Sequence, residues 1–397
     1  MTSTTAPPPT PRSAPRATLL TRPMVLICSA SFGAMICFYL LLSVVPQYAS
    51  SIGASGIGAG FATGALMLST VATELATPRI VARFGYRFTL ATGLALLGAP
   101  AFALIAAHTM LAILAISLVR GAGLAIVVVV GGSLVASITP PERRGEGLGL
   151  YGFIVNIPAI VGLPLGVWLA AHVGFPTVFV IAALAALLGI AAVPGLPAGS
   201  GPAHEETVGV LAGLLTPALA RPAVVFSSTA MAAGVIVTFL PLAAIHASEN
   251  VVAAALLIQA AASTTSRWYA GHHGDKHGSA TLMIPGVLLA AIGMSALVLI
   301  GSTPAILMGM VLFGIGFGIT QNATLTLMFE RVSPSGYDAV SAVWNVGYDA
   351  GLGLGAVVFG FVSTHTGYPI AFAILTAFML AMLAPALYDR RTPAIES

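Results

Sequence analysis

The feature that most constrains this chain is the recurrence of apolar segments about 20 residues long, separated by short polar breaks. A segment of about this length crosses the hydrocarbon core of a membrane as an α-helix. Charged residues make up only 7% of the chain, whereas soluble domains carry roughly 25%. The sequence therefore predicts an all-α integral membrane protein. The twelve predicted segments are 24–46, 56–78, 87–107, 110–137, 146–171, 176–195, 222–243, 251–270, 280–301, 304–328, 338–362 and 368–388.

The predicted segments form two groups of six. Residues 197–221 are the longest polar break and predict a central cytoplasmic loop between an N-terminal bundle, 23–196, and a C-terminal bundle, 222–388. Residues 1–22 are rich in Pro, Ser and Thr and predict a disordered cytoplasmic tail. Residues 389–397 predict a second, short cytoplasmic tail.

The positions of Lys and Arg predict the orientation. Of the 15 basic residues, 14 precede the first segment, follow the last or lie in or within four residues of alternate breaks, and Arg120 lies inside the fourth segment. Arg267 and Lys276 are counted here at the break between the eighth and ninth segments. Because basic loops stay in the cytoplasm, both termini are expected to be cytoplasmic. We expect a multi-pass protein of the plasma membrane.

The two halves match at a constant offset of 193 residues. Six segments with the same orientation in each half predict a parallel repeat, related by an axis along the membrane normal. Two such bundles leave a site between them, and rocking about that site gives alternating access. The matching pairs are Gly85 and Gly278, Gly121 and Gly314, Gly123 and Gly316, Pro141 and Pro334, Gly162 and Gly355, Gly174 and Gly367, Pro176 and Pro369, and Phe179 and Phe372.

Two connections carry related motifs. The break after the second segment runs from Pro78 to Arg87, and the break after the eighth runs from Gly271 to Gly278. Both resemble a loop motif of the major facilitator superfamily, in which Gly is followed by Asp, a basic residue and a second Gly. The first copy departs from it, since Pro78 replaces the first Gly and Ala82 replaces the Asp.

Two further segments add to the resemblance, which covers about residues 24–388. Arg120-Gly-Ala-Gly123 is similar to the family's Arg-plus-Gly pattern, and Gly162-Leu-Pro164-Leu-Gly166 is a degraded form of a pattern seen in its antiporters. The resemblance implies the twelve-helix fold of this family. It also implies a gating role for the motif residues, although their basic side chains could serve topology alone. The candidate gating residues are Arg83, Gly85, Arg87, Asp275, Lys276 and Gly278.

Three charged residues lie four or more positions inside a predicted segment, namely Glu74, Arg120 and Asp349. A charge at the bilayer centre costs roughly 2.5–3.5 kcal/mol, so these residues are expected to face the bundle interior. Asp349 lies near the middle of its segment, and its counterpart at the 193 offset is Asn156. Because desolvation favours the protonated carboxyl group, Asp349 is a candidate for proton coupling. A structural hydrogen bond or ion pair is the alternative.

Arg120 also lies near mid-depth, where it could hold a substrate anion or exchange an acidic partner during transport. The alternative is a permanent contact that fixes its helix. Glu74 lies four residues before Pro78, and we expect it about one turn from the cytoplasmic boundary, either in a gating network or solvated at the helix end. Its counterpart at the 193 offset is Arg267.

Neutral polar residues within the segments are candidates for a substrate-facing surface. The family resemblance implies that the first, fourth, seventh and tenth helices line the central cavity. Each such residue could instead make a hydrogen bond between helices. The candidates are Tyr39, Asn156, Gln321, Asn322 and Asn345.

The sequence indicates no cofactor and no enzyme activity. It contains no phosphate-binding loop with the spacing G-x-x-x-x-G-K-[ST]. His272, His273, Asp275 and His277 are close together, but the motif already accounts for Asp275, and we expect no metal site. The expected partners are a small-molecule substrate, protons and the lipid bilayer, with no nucleic acid, and we expect a monomer.

These observations predict a proton-coupled secondary transporter of a small organic solute. Export of an amphipathic compound by antiport is the first expectation, because a large apolar cavity with few charges suits such solutes. Uptake of a sugar, organic acid or other metabolite is the alternative. A membrane receptor that binds without transporting, or an intramembrane enzyme, is a further alternative of another class.

Overall fold

A computed structural model describes residues 20–140, 143–199, 216–332 and 336–391, and these residues form helices and their connections with no β-strand. Residues 1–19 and 392–397 of the predicted tails and residues 200–215 of the central break lie outside the described residues, whereas 389–391, predicted as tail, belong to the last helix. The helices are α1 Arg22–Ser51, α2 Gly56–Ala103, α3 Met110–Ile138, α4 Arg144–Val173, α5 Phe175–Leu188, α6 Pro217–Ala243, α7 Glu249–His277, α8 Met283–Ala296, α9 Thr303–Phe329, α10 Tyr337–Thr366, α11 Tyr368–Ala381 and α12 Leu383–Arg391.

Ten helices in the described part of the chain are long and apolar enough to cross a membrane. One of them, Gly56–Ala106, has 51 residues. At 1.5 Å per residue it would be about 76 Å long if straight, more than twice the thickness of the hydrocarbon core. α7 has 29 residues, similar in length to α6 and α9 with 27 each, but is less apolar because it carries Gln259, Arg267 and several hydroxyl side chains.

The long helix α2 breaks at Gly85, where φ is 76° and ψ is 168°. This left-handed region is open to glycine and strained for other residues. α7 ends in the same way, at Gly278 with φ of 82°. The predicted connections at 78–87 and 271–278 are therefore helical up to a single glycine. Pro78 has no amide hydrogen and so removes one backbone hydrogen bond, but α2 continues past it.

Equivalent glycines make equivalent contacts in the two halves of the chain. A Cβ on Gly121 would meet the carbonyl oxygen of Leu66, and a Cβ on Gly314 would meet that of Gln259. Both contacts are related by the offset of 193 residues. Such close approaches require glycine, since any side chain would separate the two backbones. Gly174 and Gly367, also 193 apart, share a left-handed φ of 84° and 78°.

The helix ends form two faces of the bundle. We define the basic face as the one at which Arg83, Arg87, Arg144, Arg221 and Arg331 lie, and the opposite face as the one formed by residues 52–55, 107–109, 174, 244–248, 300–302 and 367. We refer to α1–α5 as the first half and to α6–α12 as the second half.

A buried carboxylate holds the second half together at the basic face. Asp389 of α12 is fully buried and accepts hydrogen bonds from Arg221 of α6 and Arg331 beyond α9, each at 3.0 Å. Arg331 also donates to the carbonyl oxygen of Ala218 at 2.7 Å. This network joins the ends of three helices.

The two halves pack tightly near the opposite face, where α2 lies against α10. A Cβ on Gly60 would collide with the carbonyl oxygen of Ala356, and the rings of Phe61 and Phe361 meet edge to face with centroids 5.7 Å apart. The buried hydroxyls of Thr63 in α2 and Thr238 in α6 lie 3.0 Å apart. The contacts of α2 with α10 and α6 thus close one side of the space between the halves towards the opposite face.

Candidate functional site

Four charged residues of the described chain lie about 15 Å or more from the nearest helix end, at 1.5 Å per residue. They are Glu74 in α2, Arg120 in α3, Arg267 in α7 and Asp349 in α10. Two of them lie deeper than the sequence indicates. Because α2 continues through Pro78 to Gly85, Glu74 lies well inside the helix rather than one turn from its end. Because α7 continues to His277, Arg267 is an intrahelical residue rather than a loop charge.

The carboxyl groups of Glu74 and Asp349 lie within hydrogen-bonding reach of one another. Glu74 belongs to the first half and Asp349 to the second, so the pair bridges the two. An ionised carboxylate only accepts hydrogen bonds, whereas a protonated one also donates. A direct bond between the two groups therefore requires one bound proton. The arrangement can hold a proton where the two halves meet.

Further polar side chains surround this acid pair. Tyr39 of α1 and Tyr348 of α10 both interact electrostatically with Asp349. Arg267 of α7 interacts with both tyrosines. We call these five residues, Glu74, Asp349, Tyr39, Tyr348 and Arg267, the central cluster. It draws two residues from the helices α1 and α2 and three from α7 and α10.

An aromatic stack supports one side of the central cluster. The ring of Phe226 lies parallel to that of Trp344, with centroids 4.3 Å apart, and to that of Tyr348 at 5.8 Å. Phe226 and Trp344 are buried, and the indole of Trp344 donates a hydrogen bond to the Thr324 hydroxyl at 3.3 Å. The stack therefore fixes the Tyr348 ring in place.

The five residues of the central cluster are surrounded by protein, yet each keeps part of its surface exposed. Their side chains thus line an internal space between the halves rather than a dry core. Water can reach polar groups in such a space, which reduces the cost of placing charges at this depth.

Arg120 lies apart from the central cluster. Its side chain is 1% exposed and lies beside the Cys37 thiol of α1. Among the described residues, its Nε and Nη2 atoms have no hydrogen-bond acceptor. Asp349 faces Glu74, so this structure does not bring Arg120 and Asp349 together.

Comparison with known proteins identifies the family to which this arrangement of helices belongs. A family model described as Major Facilitator Superfamily matches residues 27–351 and 223–397. The chain belongs to the major facilitator superfamily. A further relative is an uncharacterized MFS-type transporter of Methanocaldococcus jannaschii, 21% identical over 363 residues that cover 88% of this chain and 93% of the relative. The family resemblance of the sequence motifs is thus confirmed.

Solved structures of this superfamily share the fold. A bacterial homolog of the human lysosomal transporter Spinster, inward-facing and occupied, aligns over 93% of this chain and 96% of its own with a TM-score of 0.79 and 15% identity. The nucleoside transporter NupG aligns over 93% and 99% with a TM-score of 0.74 and 14% identity. The xylose transporter XylE from E. coli, partially occluded and inward open, aligns over 95% and 99% with a TM-score of 0.73 and 14% identity.

Of the substrate-facing candidates in this superfamily member, only Tyr39 joins the central cluster. Asn156 is exposed, and its amide donates to the carbonyl oxygen of Gly152 one turn earlier, at 2.6 Å. Gln321 is nearly buried in α9, and Asn322 packs against Gly271 of α7. Asn345 lies one turn before Asp349 and is partly exposed.

The cluster includes two functional candidates that sequence reasoning did not select, Arg267 and Tyr348. The offset of 193 residues gave a signal for Arg267, because its counterpart is the intramembrane Glu74. Tyr348 gave none, since an aromatic residue in an apolar segment resembles a packing residue. Its position beside Asp349 becomes apparent only from the stack with Phe226 and Trp344.

The motif residues of the transporter lie at the basic face. After Gly85, the Tyr86 amide donates to the carbonyl oxygen of Gly199 at 3.1 Å, and Arg87 Nε donates to that of Leu196 at 2.6 Å. Arg83 is exposed, with its guanidinium 5.2 Å from the Phe84 ring centroid. Lys276 is exposed at the end of α7, and the side chain of Asp275 lies outside the described part.

His273 and His277 stack with ring centroids 4.3 Å apart at the end of α7. Within the part of the chain that the structure describes, no three His, Cys, Asp or Glu side chains come together as a metal site.

Proposed function

We propose that this chain is a proton-coupled secondary transporter that exports a small organic solute by alternating access. In this proposal, residues 23–196 and 222–388 are two six-helix bundles that rock about the central cluster. The chain acts as a monomer in the plasma membrane, because the binding space lies within one polypeptide. Belonging to the major facilitator superfamily supports transport, and the acid pair supports proton coupling.

The observation that carries the proposal is the contact between Glu74 and Asp349 across the two halves. Two ionised carboxylates in contact repel each other. Loss of the shared proton therefore favours separation of the halves, and separation of the halves favours loss of the proton. Movement of the bundles is then linked to proton binding at one place. A solute that enters the space beside the pair can exchange with that proton.

The packing of α2 against α10 supports a conformation that is closed towards the opposite face. Gly60 against Ala356 and Thr63 against Thr238 close the path towards the opposite face. The central cluster nevertheless keeps exposed surface. We infer that the cluster is reached from the basic face, which the excess of basic residues assigns to the cytoplasm. Both chain termini then lie in the cytoplasm.

Two features of the helices support twelve crossings. The length of Gly56–Ala106 and its break at Gly85 favour two crossings there, and the length of α7 favours one more despite its polar residues. The contacts of Gly121 and Gly314, related by 193 residues, favour a duplicated six-helix unit. Parallel repeats of this kind place the transported ligand at their interface.

Proton movement driven by solute tests this function. Purified protein is reconstituted into vesicles that contain the pH-sensitive dye pyranine. A panel consisting of ethidium, naphthalene-1-acetate, uridine and xylose is then added outside. We expect at least one solute to move protons in the direction opposite to its own flux. The Asp349→Asn variant should lose this proton movement while remaining folded.

The matched control is Glu146→Gln, which removes an exposed carboxylate that pairs with Arg143 at the basic face. It should transport protons as the wild type does. Proton movement in the same direction as the solute would indicate uptake by symport instead. Undiminished proton movement in Asp349→Asn would contradict the coupling role, and binding without any exchange across the membrane would indicate a receptor.

A further inference from the structure

The guanidinium of Arg267 is the charged group of the central cluster that lacks a matching partner. Among the described residues, it makes no ion pair or side-chain hydrogen bond. Its neighbours are the Trp344 ring, whose centroid is 5.9 Å away, and Tyr348 and Tyr39, with which it interacts electrostatically. An arginine deep in a membrane protein ordinarily pairs with an acid or with carbonyl groups. Here both nearby acids, Glu74 and Asp349, face each other instead.

From this imbalance we propose that Arg267 is the anion-binding residue of the substrate site, and that the solute is an aromatic or similarly flat compound with a carboxylate or phosphate group. The inference rests on the proposed transport function only in that it treats the bound compound as the solute. Guanidinium groups bind such anions through two parallel hydrogen bonds. A cationic solute would instead be repelled by the Arg267 guanidinium.

The surroundings of Arg267 favour a solute with a flat apolar ring system next to its anionic group. Tyr348 lies beside Arg267, partly exposed, and its ring is held by Phe226 and Trp344 at planes within 12° of its own. Tyr39 faces the same space from the first half. A ring stacked on Tyr348 can therefore place its anionic substituent at the Arg267 guanidinium.

Equilibrium binding of three matched probes tests this inference. The probes are naphthalene-1-acetate, naphthalene-1-acetamide and 1-naphthylmethyl-trimethylammonium, which share one ring system and differ in charge. Isothermal titration calorimetry is done on purified wild type in lipid nanodiscs. We expect the acetate to bind about tenfold or more tightly than the acetamide, since hydrogen bonds to a charged group are the stronger ones. The ammonium compound should bind most weakly.

Variants on α7 assign the preference to one side chain. Arg267→Gln should abolish the difference between acetate and acetamide, and Arg267→Lys, which keeps the charge but not the planar fork, should retain part of it. Lys276→Gln removes an exposed cation from the end of the same helix and should leave all three affinities unchanged. Thermal unfolding of each variant shows that it is folded.

Several results would overturn the inference, namely no measurable binding of the acetate, equal binding of the acetamide, preferred binding of the ammonium compound, or an unchanged preference in Arg267→Gln. The proton-coupling role is measured separately, by pyranine in vesicles. Binding of the acetate that survives in Asp349→Asn while proton movement is lost would support both proposals. A wild-type protein that shows no preference for the acetate but retains proton coupling would contradict this inference alone.

Discussion

Gly85 and Gly278 lie 193 residues apart and share one backbone conformation, with φ of 76° and 82°. Each lies between two helices at the basic face, so glycine forms the same tight turn in both halves. A tight reversal with positive φ excludes side chains, because a Cβ strains the backbone there.

Replacing either glycine should therefore destabilise the protein through the backbone alone. A Cβ on Gly278 would meet nothing within 4 Å, and one on Gly85 would meet only carbonyl oxygens at 3.5 Å. We expect Gly85→Ala and Gly278→Ala each to lower the free energy of unfolding by about 1–3 kcal/mol, measured by thermal unfolding in detergent.

Gly132→Ala and Gly152→Ala are the matched controls, since both positions are helical and a Cβ there also meets nothing within 4 Å. These substitutions should be neutral or stabilise the helix by about 0.5–1 kcal/mol. Equal changes in the free energy of unfolding for these controls and for the Gly85 and Gly278 variants would contradict the proposed backbone strain.

The buried carboxylate of Asp389 should contribute more to stability than an exposed ion pair. Asp389→Asn leaves Arg331, whose side chain is 4% exposed, and the part-buried Arg221 without their counter-charge. We expect a loss of about 3–5 kcal/mol, as when one partner of a buried pair is removed. Thermal unfolding again measures it.

Glu146→Gln is the control for this effect, because Glu146 is 59% exposed in its pair with Arg143. Exposed pairs contribute about 0–1 kcal/mol. A loss for Asp389→Asn no greater than for Glu146→Gln would show that the network at Arg221 and Arg331 is dispensable.

The closure near the opposite face should be trapped by a crosslink. The Thr63 and Thr238 hydroxyls are 3.0 Å apart, so Thr63→Cys combined with Thr238→Cys should form a disulfide under mild oxidation in a background of Cys28→Ala and Cys37→Ala. Solute exchange should stop and resume after reduction. Each single cysteine variant should transport normally, and full activity of the oxidised double variant would exclude movement of the halves at this point.

The sequence predicts much of the fold because membrane helices are specified by length and hydropathy. The segment predicted at 110–137 is helical over Met110–Ile138. The ends near Pro78 and Gly271 were placed too early, because a helix whose side chains face neighbouring helices tolerates polar residues and proline better than composition indicates. The sixth predicted segment, 176–195, changes to a 3-10 turn at Gly189.

The candidate site could be predicted only in part. Intramembrane charge is sufficient to select Glu74, Arg120 and Asp349, but the pairing of Glu74 with Asp349 depends on how α2 and α10 pack. That packing follows from glycines such as Gly60 and Gly64, which let the backbones approach. Hydropathy contains no information about which helices become neighbours. Arg267 lies three residues from the end of the predicted segment 251–270, so the sequence predicts a loop charge although the residue lies within α7.

The central claim is that Glu74 and Asp349 share a proton where the two halves meet. Infrared difference spectroscopy on purified protein measures it through the C=O stretch of a protonated carboxyl group in the membrane region. We predict this band in the wild type and in Asp389→Asn, its loss in Asp349→Asn and a shift or loss in Glu74→Gln. A wild-type protein without the band, or a band unaffected by both Asp349→Asn and Glu74→Gln, would contradict the account.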